Sequence, residues 1–194
     1  LDKLMAEESS TQSAATPTEE TAFVLPGNMD MNFLFSFSDF KYDKLNLKNF
    51  SGSARLVDQQ LEMHDLKSSA MGGTMNLNGV YNTQNPDKPT FDLKYDLSQI
   101  QFSQMYKSII SFQLLAPIAQ YIEGIFNTSF VASGSLKKDM MPDFSTINVN
   151  GLIETINGIV RGFKPVESIA DKLNLKEFKS ISLENTKNWF QVEN

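Results

Sequence analysis

The chain contains no cysteine. Disulfides and thiolate metal sites are therefore excluded, although the compartment stays open, because an oxidising compartment permits disulfides without requiring them. Histidine occurs once, as His64. A hydrolytic triad would have to use it, and a histidine-based metal site would have one imidazole ligand. His64 lies in a short alternating segment beside Asp65, and no partner spacing around it fits either site, so it reads as an exposed strand residue. Positive charge is also scarce: 17 Lys+Arg against 23 Asp+Glu give a net charge of −6. Lys137-Lys138 is the only basic pair, so no electrostatic footprint for DNA, RNA or anionic lipid headgroups is expected. The longest apolar run, Leu114 to Ala119, is far short of the roughly 20 residues of a membrane span.

Recognisable chemistry is equally sparse. The carboxylates are dispersed, and no pair stands out as a glycosidase acid and base. No stretch carries calcium-loop spacing. Gly134-Ser135-Leu136-Lys137-Lys138 lacks the phosphate-loop pattern and reads as a turn. Asn49-Phe50-Ser51 and Asn127-Thr128-Ser129 match the glycosylation acceptor pattern at a frequency chance allows. The expectation is a protein without catalytic residues, metal or cofactor.

What is present is a strand pattern. The 194 residues suffice for one domain with its own core. Residues 4 to 22 are rich in Ser, Thr, Glu and Ala, which cannot bury enough surface to offset their ordering entropy. Residues 1–25 are therefore expected to be a flexible linker, and 26–194 the folded domain. The chain opens on Leu1 and stops inside a strand pattern, so it is expected to be a piece of a longer polypeptide, with any anchor or signal outside it.

Met31, Phe33, Phe35 and Phe37 alternate with polar residues and predict the first strand. A phase flip between Asn49 and Gly52 predicts a bulge. Asp58-Gln59-Gln60 predicts a turn into Leu61 and Met63. Gly72-Gly73 then feeds Met75, Leu77, Gly79 and Tyr81, followed by a polar turn and by Phe91, Leu93, Tyr95 and Leu97. Alternation places each apolar set on one face of this hairpin. Phe102, Met105, Tyr106, Ile109 and Ile110 share a helical face, with Ser98 as the expected N-cap. A second short helix is expected from Pro117 to Gly124. A strand through Phe126, Thr128, Phe130 and Ala132 follows, and then one from Ile147 to Ile153, running on toward Val160. Pro165 opens a third helix with Val166, Ile169, Ala170 and Leu173 on one face, and two strands close the chain. The predicted class is α+β, a largely antiparallel curved sheet with about three amphipathic helices packed on it.

Several phrases, in this order, resemble the C-terminal region of AsmA-like proteins of the Bacteroidetes type. They are Pro26-Gly27-Asn28, the stretch from Lys41 to Asn49 (KYDKLNLKN), and Gly72 to Tyr81 (GGTMNLNGVY). Ala116-Pro117-Ile118, Leu136 to Pro142 (LKKDMMP) and the closing Trp189 to Asn194 (WFQVEN) follow. The likeness covers residues 26 to 194. It implies a segment of an envelope protein, anchored in the inner membrane by a helix absent here, with its bulk in the periplasm. It further implies a role in outer-membrane biogenesis and phospholipid carriage along an apolar β groove, with phospholipid and other envelope proteins as partners. No catalytic residues come with it. The lipid-facing candidates are Met31, Phe33, Phe35, Phe37, Phe91, Leu93, Tyr95, Leu97, Phe126 and Phe130. The alternatives are that the amphipathic helices cover this face as an ordinary core, or that the domain is a structural or protein-interaction module without lipid.

Overall fold

Side-chain alternation builds the dominant element, an eight-stranded antiparallel sheet. A computed structural model describes residues 23–175 and 180–193. The expected linker lies outside the described residues, apart from its last few positions. The strands are β1 (Asp30–Tyr42), β2 (Leu45–Val57), β3 (Gln60–Ala70), β4 (Gly73–Asn82), β5 (Thr90–Gln101), β6 (Ile122–Glu123), β7 (Ile125–Ser135), β8 (Asn148–Thr155), β9 (Ile159–Arg161), β10 (Ser180–Ser182) and β11 (Thr186–Val192). The large sheet has the order β1-β2-β3-β4-β5-β7-β8-β11, and β10-β9-β6 form a small second sheet. The large sheet does not close, so β1 and β11 are its edges among the described residues. The helices are α1 (Phe102–Ser108), α2 (Ile110–Leu115) and α3 (Lys164–Leu173), with a 3-10 turn at Pro117–Tyr121. The class is therefore the α+β antiparallel arrangement expected.

Residues opposite each other in a ladder share a face. The register makes that face apolar across every strand. One row reads Phe33, Ala54, Met63, Gly79, Leu93, Ala132, Val149, Val192. The next contains Phe35, Gly52, Leu66, Leu77, Tyr95, Phe130, Gly151 and Phe190. The opposite face carries Arg55, Glu62, Asn78, Lys94, Asp96 and Ser129, with Ser129 donating to Asp96 at 2.6 Å.

Three bulges hold this apolar face together. Asn49, Asp65 and Gln99 have φ of 51°, 49° and 58°. The ladders slip beside each of them. An extra residue reverses the side-chain phase. Leu47 and Phe50, Met63 and Leu66, and Leu97 and Ile100 thus face the same way although each pair is three positions apart. The expected phase flip at Asn49 is one of the three.

The core sits at one end of this face. Ile100, Phe102, Phe126, Leu97, Ala119, Leu47, Ala70 and Met71 are buried together. Met105, Tyr106 and Phe112 of the helices, and Ile109 between them, pack on these residues. The Phe102 and Phe126 rings lie 4.3 Å apart.

Several local expectations are corrected. Ser98 lies within β5 and does not cap α1, whose N-cap position is Gln101 without a side-chain bond. The single expected helix breaks at Ile109, which is extended at φ −119° and ψ 106°. The Tyr106 carbonyl lies at this break and accepts instead from the Gln113 side chain at 2.6 Å. The Pro117 segment is a 3-10 turn, and Ile122–Glu123 is strand. The strand ending at Thr155 turns, and Ile159–Arg161 joins the small sheet. On α3, Ala170 is buried, whereas Ile169 and Leu173 are exposed. The folded region also begins before residue 26: Leu25 is buried and its N–H donates to Thr83 Oγ1 at 3.0 Å.

Candidate functional site: an apolar sheet face capped at both ends

The helices seal only one end of the apolar face. At the other end the Phe23–Met29 segment passes over the strand turns. Tyr81 donates its hydroxyl proton to the Phe23 carbonyl at 2.9 Å, and Leu25 is buried. Between these caps, no second layer lies on the middle rows among the described residues. Met31, Phe33 and Phe37 are exposed, Phe35, Met63, Leu77, Phe91, Leu93, Tyr95 and Phe130 are half-buried, and Leu66 and Val149 are buried by their neighbours in the rows.

The ten sequence-derived candidates therefore separate. Leu97 and Phe126 are 4% and 1% exposed, sealed beneath α1 by Phe102, and cannot be lipid-facing. The other eight line the open part of the face. Tyr95 and Phe130 stack at 5.0 Å with a 20° tilt, on neighbouring strands. Phe35, Phe37, Phe40 and Phe50 form a separate aromatic cluster at the β1 edge, with centroids 5.1 to 6.4 Å apart. Met63, Leu77 and Phe190 join the surface without having been singled out. Their in-phase positions in their strands carried the signal.

Glycines lower the floor between the large side chains. A Cβ at Gly151 would lie 2.5 Å from Phe130 Cβ and 2.7 Å from Phe190 Cζ. At Gly79 it would lie 2.7 Å from Leu93 Cδ2, and at Gly52 2.6 Å from Leu66 Cδ2. The neighbouring side chains lean over these positions, which leaves a low and continuous apolar surface.

Polar groups on this face are few. Tyr95 is half-buried, and its hydroxyl has no hydrogen-bond partner among the described residues. Burial pushes its pKa up from the ordinary 10.0, and burial raises Tyr81 as well. A raised phenol pKa means that the folded state holds its proton where the unfolded state releases it. Stability is thus full below the unfolded pKa and falls as pH rises from there toward the folded value. Urea midpoints are expected to drop above pH 10, and Tyr95→Phe to flatten part of that drop, with Tyr81 supplying the rest. An unchanged alkaline slope in the variant would contradict a Tyr95 hydroxyl held neutral by its partial burial.

Two concavities of about 460 and 600 Å³ open elsewhere. One is lined by Asn82, Lys88, Thr90, Asp92 and Ser133, the other by Lys48, Ser69, Thr74, Ser98 and Gln104. Both mix polar and apolar groups: Val80 and Phe91 also line the first, and Ala70 and Met71 the second. His64 is exposed, 3.7 Å from a Glu62 carboxylate oxygen. No group of three or more metal-ligating side chains is found among the described residues. No described helix is long and apolar enough to cross a membrane.

Comparison with known proteins returns no match: no family model, no curated protein and no solved structure is similar to this chain.

Proposed function

We propose that this chain is a non-enzymatic segment of an AsmA-like envelope protein that accommodates phospholipid acyl chains on its apolar sheet face, in the service of outer-membrane biogenesis. Its place would be the periplasm, held to the inner membrane through a segment outside this chain. One observation carries the reading. The apolar rows run unbroken across all eight strands and, Leu66, Val149 and Gly151 apart, stay at least partly exposed between the two caps. A face of that extent is normally buried or is a site of interaction. Acyl chains suit it because they ask for area without hydrogen bonds, and this face offers few polar groups.

The test is lipid content. Protein prepared without detergent is extracted with organic solvent and also examined by native mass spectrometry. The expected result is co-purified phospholipid, and uptake of phospholipid from vesicles by the stripped chain. Protein that is lipid-free as prepared and takes up none would end the reading.

A second reading, a structural or protein-interaction module, is favoured by a different observation. The β1 edge is 13 residues long and, among the described residues, has no strand on its outer side. Exposed sheet edges readily accept an added strand.

A further inference from the structure

The two edges of the sheet differ in kind. β11 has seven residues and interleaves Lys187, Asn188 and Gln191 with its apolar positions. That is how natural edges are guarded: short, polar and charged. β1 has 13 residues, and from Met31 to Ser38 it carries no charge, proline or glycine. Its register with β2 shows no bulge from Asp30 to Phe37, and none of its residues has positive φ. A flat, uncharged edge of this length is a pairing template.

Its sequence also indicates which strand it fits. Met31-Asn32-Phe33-Leu34-Phe35-Ser36-Phe37 is nearly symmetric about Leu34. Laid antiparallel on itself about that centre, Phe33 meets Phe35, Met31 meets Phe37, Asn32 meets Ser36, and Leu34 meets Leu34. Apolar falls on apolar and polar on polar, and no charge is brought together. Leu34 lies opposite Ser53, on the otherwise polar face, and is 89% exposed. It is the residue that such pairing would cover. Pairing β1 with β11 of another copy would instead propagate without closing, whereas β1 on β1 closes as a two-fold dimer.

The geometry points to β1 as a self-association edge, through which two copies pair antiparallel about Leu34 and join their apolar faces into one sixteen-stranded surface. The inference does not rest on lipid binding. It concerns the edge, whereas lipid binding concerns the face.

Because the chain has no cysteine, single thiols report the register directly. Cα atoms opposite each other in an antiparallel pair are within disulfide range. Under mild oxidation Leu34→Cys is expected to give a covalent dimer on a non-reducing gel. Asn32→Cys and Ser36→Cys are expected to remain monomeric when separate and to cross-link when mixed. Sedimentation of the native chain is expected to give twice the monomer mass, and Leu34→Lys, at an exposed position, to restore the monomer with unchanged circular dichroism. A monomeric native chain would overturn the inference, as would equal cross-linking at all three positions. Lipid extraction of the same samples reads the other proposal separately.

Discussion

Replacing Phe126 by alanine is expected to lower the unfolding free energy by about 3–5 kcal/mol, the range for emptying a buried aromatic site. Phe126 is 1% exposed and pairs with Ile100 across the β5–β7 ladder, directly after the bulge at Gln99. Its ring lies 4.3 Å from that of Phe102, the first residue of α1. Phe102 in turn donates its N–H to the Gly124 carbonyl at 3.1 Å. The side chain therefore ties the helical cap to the sheet. Total stabilities of domains this size run to about 5–15 kcal/mol, so the loss is a large share. The measurement is the urea midpoint of the variant against that of the native chain. A drop worth less than about 1 kcal/mol would mean that the site collapses around the gap and that the cap is held from elsewhere.

The contrast between Phe126 and Phe130 shows how far the sequence could be read. Both are in phase in one alternating segment, and both were candidates for the open face. Alternation places them on one side of β7, and the structure agrees. It does not say what lies above them. Phe126 is covered because α1 folds back over the strand end, a contact made between distant parts of the chain. Phe130 lies farther along the strand and stays partly open.

The bulges illustrate a second limit. At Asn49 the flip was legible, because apolar residues changed phase with Gly52 nearby. At Asp65 and Gln99 the bulging residues are ordinary polar side chains in left-handed backbone, and no glycine announces them. A bulge leaves apolar residues three apart, as in Leu97 and Ile100, and a helix does the same. That coincidence is why Ser98 looked like the start of a helix when β5 still had three residues to run. The break at Ile109 was hidden for a related reason. The helical period of Phe102, Met105, Tyr106 and Ile109 is maintained in packing, and the interruption lies in the backbone, in the extended Ile109 and the hydrogen bond from Gln113 to Tyr106.

Leu93→Glu is expected to reduce bound phospholipid at least tenfold while leaving the chain folded. Leu93 stands at the middle of the sheet in the row running from Phe33 to Val192, with Gly79 and Ala132 as its cross-strand neighbours. It is the large side chain at that point of the floor, and it leans over Gly79. Being half-buried, the position lets a glutamate carboxylate turn toward water, so the sheet tolerates it at modest cost. An acyl chain lying on the same spot would remove that water, and an unpaired carboxylate resists burial against hydrocarbon far more than the 1.4 kcal/mol that a tenfold loss represents. Lys94→Glu is the matched control. Lys94, the next residue in sequence, points to the opposite face and is exposed, and the change alters net charge by more than Leu93→Glu does. Lipid content is expected to follow the face and not the charge. Equal losses in both variants would assign the effect to net charge, and retention in Leu93→Glu would remove the open rows of the sheet as the place where lipid sits.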